Sequence, residues 1–179
     1  MKHLLYTLII LLGSCQQNKT STTHLITTDS LAIDTLQTTF SIDTLEAKTW
    51  LQQLIMYYFK DSIDIQQITT AEYYDFKQDA MNVGLELDDS LTEEEFERKW
   101  KGKFDLKVHP IQTGFLISGQ DWGNITVPSL YVTHMDKTNN SITIRTLIRD
   151  EEFQVEYDRD IIVVRQIDKY LIADVLEYD

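Results

Sequence analysis

The chain has 179 residues, about one domain's length, and at 42% hydrophobic and 25% charged its composition excludes a mostly disordered chain and a polytopic membrane protein. Asp and Glu outnumber Lys and Arg by 29 to 16, giving a net charge of -13; this excludes general nucleic-acid binding, where phosphate contacts dominate affinity, and flat adsorption to an anionic membrane. The single cysteine excludes an intramolecular disulfide and a thiolate metal cluster.

The N-terminus runs Met1-Lys2-His3, then apolar from Leu4 to Leu12, then Gly13-Ser14-Cys15. A basic start, a short apolar run and small residues at its end are the parts of a secretory signal, and the run is too short to span a bilayer as a stable helix. The Leu12-Gly13-Ser14-Cys15 junction resembles a bacterial lipobox. That resemblance implies that residues 1-14 are removed and that Cys15 is acylated and anchors the chain to a lipid bilayer, which physically takes two or more acyl chains. It places the protein in a bacterial cell envelope, and with Gln16-Gln17 rather than Asp after the cysteine, on the outer membrane facing the periplasm. The plainer alternative is an unmodified secretory signal or a short buried helix.

Residues 15-43 are expected to be the lipidated cysteine and a flexible tether. Positions 16-43 hold eight Thr and three Ser, no Gly or Pro, and few large apolar groups, so they can bury little. An alternative is an extra edge strand over Ser30 to Phe40, since Thr and Ile favour strands.

Residues 44-179 form the expected folded domain. A first helix starts near Asp43, with Glu46 completing a capping pattern. Ala47, Trp50, Leu51, Leu54, Ile55 and Tyr58 recur on one face. Met56, Tyr57 and Phe59 widen that stripe, which predicts a more buried C-terminal end. Asp61-Ser62 stops the helix. A second helix opens with Thr69 and Glu72, buries Tyr73, Phe76, Ala80 and Met81, and ends at Gly84. A third opens with Thr92 and Glu95, buries Phe96 and Trp100, carries Glu94-Arg98, Glu95-Lys99 and Glu97-Lys101 pairs on its wet side, and ends at Gly102.

The period then changes from helical to alternating. Strands are predicted over Leu106 to Ser118, broken near Pro110, and over Ile125 to Met135, where Pro128 marks an edge or bulge. Ile142, Ile144, Thr146 and Ile148 alternate with Thr143, Arg145, Leu147 and Arg149. Phe153, Val155 and Tyr157 alternate, Ile161 to Ile167 is β-branched, and Leu171 to Leu176 follows an Asp168-Lys169 turn. Helices followed by an antiparallel meander give an α+β fold, with the helices covering one sheet face. This element order resembles the NTF2-like fold, which implies a curved sheet wrapped around helices as a cone with one open mouth. The segments from Leu91 to Trp100 and from Gly114 to Ile125 are similar to those of a family of small, uncharacterised envelope lipoproteins with an NTF2-like domain, a resemblance that implies no activity.

The most distinctive stretch for chemistry is Ser118-Gly119-Gln120-Asp121-Trp122-Gly123-Asn124. Two glycines allow positive φ and close approach, Trp122 could stack on a ligand, and Asp121 could bind a hydroxyl or act as a base. The competing reading is a turn whose Trp plugs the core. The NTF2-like resemblance implies that a carboxylate or histidine in the cone would act on an apolar substrate, and the candidates are Asp121, His109, His134 and Tyr74. Tyr57-Tyr58-Phe59 and Tyr73-Tyr74-Asp75-Phe76 are either helix-to-sheet packing or an aromatic pocket, with Tyr58 and Tyr74 as ligand-binding candidates beside Trp122 and Asp121. No His pair or Gly-centred acidic loop provides metal-ligand spacing, and no phosphate loop, nucleophile elbow or dinucleotide fingerprint is present, so no metal and no cofactor is expected. Three readings remain. The first is an anchored, non-enzymatic domain binding a small ligand or another envelope protein. The second is an isomerase- or hydrolase-like enzyme working in the cone, and the third a structural module pairing as a homodimer through its outer sheet face.

Overall fold

The computed structural model describes residues 41-178 apart from Ser62, Glu86, Asp88 and Gln120. The signal, Cys15, nearly all of the tether and the alternative strand over Ser30 to Phe40 lie outside the described residues. The element order is α1 (Thr44–Asp61), α2 (Ile65–Ile68), α3 (Ala71–Asn82), α4 (Glu93–Trp100), a single 3-10 turn at Leu106–Val108, then β1 (Ile125–Asp136), β2 (Ser141–Asp150), β3 (Val155–Gln166) and β4 (Lys169–Glu177). The fold is α+β, with the helices first and one antiparallel sheet in the order β1-β2-β3-β4.

Alternation sets the two faces of the sheet. Ile142, Ile144, Thr146 and Ile148 are buried, while Thr143, Arg145, Leu147 and Arg149 are partly exposed. In β3, Tyr157, Arg159, Ile161 and Val163 point the same buried way. α1 lies on β1 and α3 on β4. Ile42 also joins the core, at 6% exposure, so packing begins ahead of α1. Pro128 stands on the edge strand where the β1–β2 register slips, since proline has no N–H for the ladder. The far edge, β4, is covered by a parallel bridge from Thr69 to Ile172, with Thr70 N–H donating to the Ile172 carbonyl at 2.8 Å.

The helix starts follow side-chain capping. Asp43 Oδ1 accepts the Glu46 N–H at 2.9 Å, and Thr92 and Glu95 form a reciprocal capping box. α3 departs from expectation by one residue: Thr70 rather than Thr69 accepts the Tyr73 N–H. The Thr69 hydroxyl instead donates back to the Ile65 carbonyl at the end of the unpredicted α2. α3 stops at Asn82, and Gly84 follows with φ +69°, the left-handed conformation that glycine adopts without strain.

Several expectations are corrected. The last turn of α1 is not the most buried part, because Met56 is 43% and Tyr57 58% exposed, whereas Ala47, Leu51 and Ile55 are fully buried. The Glu95-Lys99 pair does not form: Glu95 is committed to the cap and Lys99 bonds Asp79 at 2.7 Å. Phe153 lies in a turn, and the alternating residues from Val155 continue into the β-branched run as one strand. The β3–β4 turn falls on Ile167-Asp168, with Ile167 at φ 55°.

The largest correction is Leu106 to Ser118, which forms no strand. Its polar groups are satisfied without a ladder. Gln112 N–H donates to the Ala80 carbonyl at 2.8 Å, the Thr113 hydroxyl donates to Pro110 O at 2.9 Å, and Leu116, held at φ 70°, offers its carbonyl to Arg159 Nε at 2.9 Å. Phe115, Leu116 and Ile117 are buried, so the segment fills the space between helices and sheet. Phe76 lies at the centre of the aromatic packing, with ring centroids 4.1 Å from Phe104, 5.5 Å from Trp100 and 5.6 Å from Phe96. Truncating a buried ring of this kind costs about 3–5 kcal/mol.

Candidate functional site

Three candidate residues from separate parts of the chain meet in one groove. Tyr58 reaches it from the last turn of α1, one turn beyond the buried Leu54 and Ile55. Tyr74 follows the fully buried Tyr73 in α3, which turns it to the flank of the helix, and Gln78 lies one turn further on. Trp122 arrives from the loop before β1. Together with Ile63, Asp64 and Ile65, these residues enclose about 210 Å³.

The groove is held from below. The Trp122 indole Nε1–H donates to the Phe59 carbonyl at 3.1 Å, and the two rings meet edge-on at 5.4 Å. The Tyr58 ring packs edge-on against Phe59 at 5.0 Å and Phe115 at 5.2 Å. Gly123 N–H donates to Asp150 Oδ2 at 2.7 Å. A β-carbon at Gly123 would collide with the Glu152 side chain, so this approach requires glycine. Asp150 Oδ1 also accepts the Glu152 and Phe153 N–H groups at 2.9 and 3.1 Å. Burial opposes the Asp150 charge, but the three N–H donors outweigh it and hold the carboxyl below its ordinary value.

The polar tips of the groove are open. Among the described residues, neither the Tyr58 nor the Tyr74 hydroxyl has a protein partner. Burial raises the Tyr58 phenol above its ordinary value of 10.0, so it remains a donor. Trp122 is 42% exposed and does not plug the core. Asp121 is exposed and does not line the groove. His134 is exposed on β1 opposite Thr143.

His109 occupies a different environment. Its Nδ1 lies 2.6 Å from the Asp105 carbonyl and its Nε2 lies 2.7 Å from Asp174 Oδ1. Both neighbours are acceptors, and Asp174 Oδ1 also accepts the Val175 N–H. Burial disfavours the imidazolium, but the hydrogen bond and charge of Asp174 overcome it, and the His109 pKa is raised above 6.5. A ring facing two acceptors has no free lone pair for taking a substrate proton. The pair stands between two wider grooves. One, of about 770 Å³, is lined by Phe96, Phe104, Leu106 and Ile111 together with His109. The other, of about 540 Å³, has Asp174 in its lining.

Behind His109 lies a buried charged group that the sequence reading missed. Lys77 Nζ donates to Glu177 Oε1 at 2.9 Å, with both side chains 2% exposed. Arg159, at 0% exposure, reaches Glu177 Oε2 at 3.6 Å. Among the described residues Tyr73 Oη and Glu177 Oε2 have no hydrogen-bond partner although buried. Burial, and then the charges of Asp174 and Glu177, push the Tyr73 phenol well above its ordinary value. The signal for this cluster was a lysine on the apolar stripe Tyr73-Phe76-Lys77-Ala80 and an arginine at an inward position of β3. Among the described residues no group of His, Cys, Asp and Glu is arranged to hold a metal ion.

No family model matches the chain, and neither the curated proteins nor the solved structures give a match.

Proposed function

We propose that this chain is a lipid-anchored protein of the bacterial envelope whose α+β domain, a variant of the NTF2-like cone, binds a small ligand at the Tyr58–Tyr74–Trp122 groove. The Lys2, Leu4 to Leu12 and Cys15 arrangement supports the anchor, and the Thr- and Ser-rich segment after it supports a tether. The single observation that carries the binding reading is the convergence of three aromatic side chains from α1, α3 and the loop before β1. Side chains gathered from distant segments, with the two tyrosine hydroxyls unpartnered among the described residues, offer both contact area and orientation to a ligand. Catalysis is less well supported. His109 is engaged at both nitrogens, and Asp121 and His134 stand outside the groove. Pairing through the outer sheet face is also less well supported, since Arg145 there bonds Asp160 at 2.6 Å and Asp158 at 3.0 Å. A dimer would have to desolvate those charges.

The test is to incubate the intact chain with a small-molecule extract of the envelope and identify retained compounds by mass spectrometry, beside the Tyr74→Ala/Trp122→Ala double variant. Compounds retained by the native chain and lost from the variant are expected. Equal retention by both would refute the groove as the binding site.

A further inference from the structure

We infer that the ligand of this groove is an organic cation, a substituted ammonium group with alkyl substituents. The inference rests on the binding reading above and assigns its chemical class. Three features of the lining converge on it. Tyr58, Tyr74 and Trp122 present aromatic rings, whose negative faces attract a cation while their area accepts its alkyl groups. Asp64 brings a carboxylate to the same groove. Its Oδ1 caps α2 by accepting the Gln66 N–H at 2.9 Å, and Oδ2 accepts no hydrogen bond among the described residues. Among the described residues no lysine or arginine lines this groove, whereas the two wider grooves both carry Lys103 and the 770 Å³ one adds Lys101 and Lys107.

One further field has the same sign. The whole chain carries -13, which draws cations towards it and repels anionic ligands. An anion here would meet a carboxylate and, among the described residues that line the groove, no counter-charge. A neutral ligand would use the rings and donate a hydroxyl to Asp64, but would leave the carboxylate charge uncompensated. A compact alkylammonium uses both, and about 210 Å³ accommodates a group of that size. Ile63 and Ile65 contact its alkyl groups, and the Tyr58 and Tyr74 hydroxyls orient any oxygen it carries.

The test uses calorimetry on the intact chain in an uncharged polyoxyethylene detergent, with choline as probe, neohexyl alcohol as its uncharged carbon isostere, and glucose as a neutral polar ligand. Choline is expected to bind about tenfold tighter than neohexyl alcohol, the size of a partly desolvated cation–π preference. Asp64→Asn retains a good helix cap and is expected to weaken choline about fivefold, with no change for the neutral alcohol, as loss of one nearby charge implies. Equal binding of choline and its isostere, or tighter binding of glucose, would overturn the cation and leave the groove standing. Absence of binding by all three would also overturn the cation. In that case, compounds retained from the envelope extract in a Trp122-dependent way would show that the groove itself survives, and their absence would show that both readings fail.

Discussion

The indole of Trp122 donates its Nε1–H to the carbonyl of Phe59 at 3.1 Å, sixty-three residues earlier in the chain. This bond joins the last turn of α1 to the loop entering the sheet and fixes one wall of the aromatic groove. Because Trp122 is 42% exposed and contributes one hydrogen bond and one ring contact, Trp122→Ala is expected to cost only about 1–2 kcal/mol of stability and to abolish ligand retention. Urea denaturation and binding measured on the same preparation check the two halves. A large loss of stability would show that Trp122 is a core residue after all.

Asp150 holds that loop from the other side. Its carboxyl is depressed by three backbone donors, so its contribution to stability is present above the ordinary Asp value and is lost as pH falls through the lower folded value. Asp150→Ala is expected to lower Tm at neutral pH and to speed hydrogen exchange at Gly123 and Phe153. It is also expected to remove part of the acid-induced loss seen in the native chain. Unchanged exchange at both amides would contradict the anchoring role.

His109 gives the opposite pH dependence. Its folded pKa lies above the ordinary 6.5, so the contribution of the imidazolium is complete below that value and disappears as pH rises through the folded pKa. Denaturant unfolding from pH 5.5 to 8.5 is expected to show stability falling over this window. The slope is expected to vanish in His109→Gln. A native chain whose stability is flat there would refute the charged pair with Asp174.

Much of the fold was legible in the sequence because local rules and packing agree there. The Thr92–Glu95 capping box forms, and the alternation through Ile142, Ile144 and Ile148 places those residues in the core. Leu106 to Ser118 misled because its β-prone residues are buried in a loop. Its backbone groups pair with the Ala80 carbonyl, the Thr113 hydroxyl and the Arg159 guanidinium, and no local pattern reveals the two distant partners. Tyr58, Tyr74 and Trp122 could be singled out one by one, but not their meeting, which depends on the path of the loop before β1. The Lys77–Glu177 pair was hidden for the same reason, with its partners a hundred residues apart.

That buried pair supplies a stability prediction. Lys77→Met leaves the Glu177 carboxylate without its closest cation and is expected to cost about 3–5 kcal/mol, the usual result of removing one partner of a buried ion pair. Tyr73→Phe removes a buried hydroxyl that has no hydrogen-bond partner among the described residues and is expected to be neutral or stabilising, because the hydroxyl's desolvation is uncompensated. Urea unfolding of both variants checks the pair. A strong destabilisation by Tyr73→Phe would reveal a partner for the hydroxyl.

The proposed anchor makes a separate prediction. Cys15→Ser is expected to move the chain from the detergent phase to the aqueous phase in detergent partitioning, since acyl chains supply the bilayer affinity. Retention in the detergent phase would refute lipidation at Cys15.

The most direct test of the binding groove is a ¹⁵N-edited NMR spectrum of the intact chain in detergent, titrated with a library of small fragments. The three tryptophans give three indole N–H signals, and that of Trp122 reports on the groove through its bond to Phe59. The expected result is a set of fragments that shift the Trp122 signal in a saturable way and leave those of Trp50 and Trp100 in place. Fragments that bind only elsewhere, with the Trp122 signal unmoved, would contradict the account.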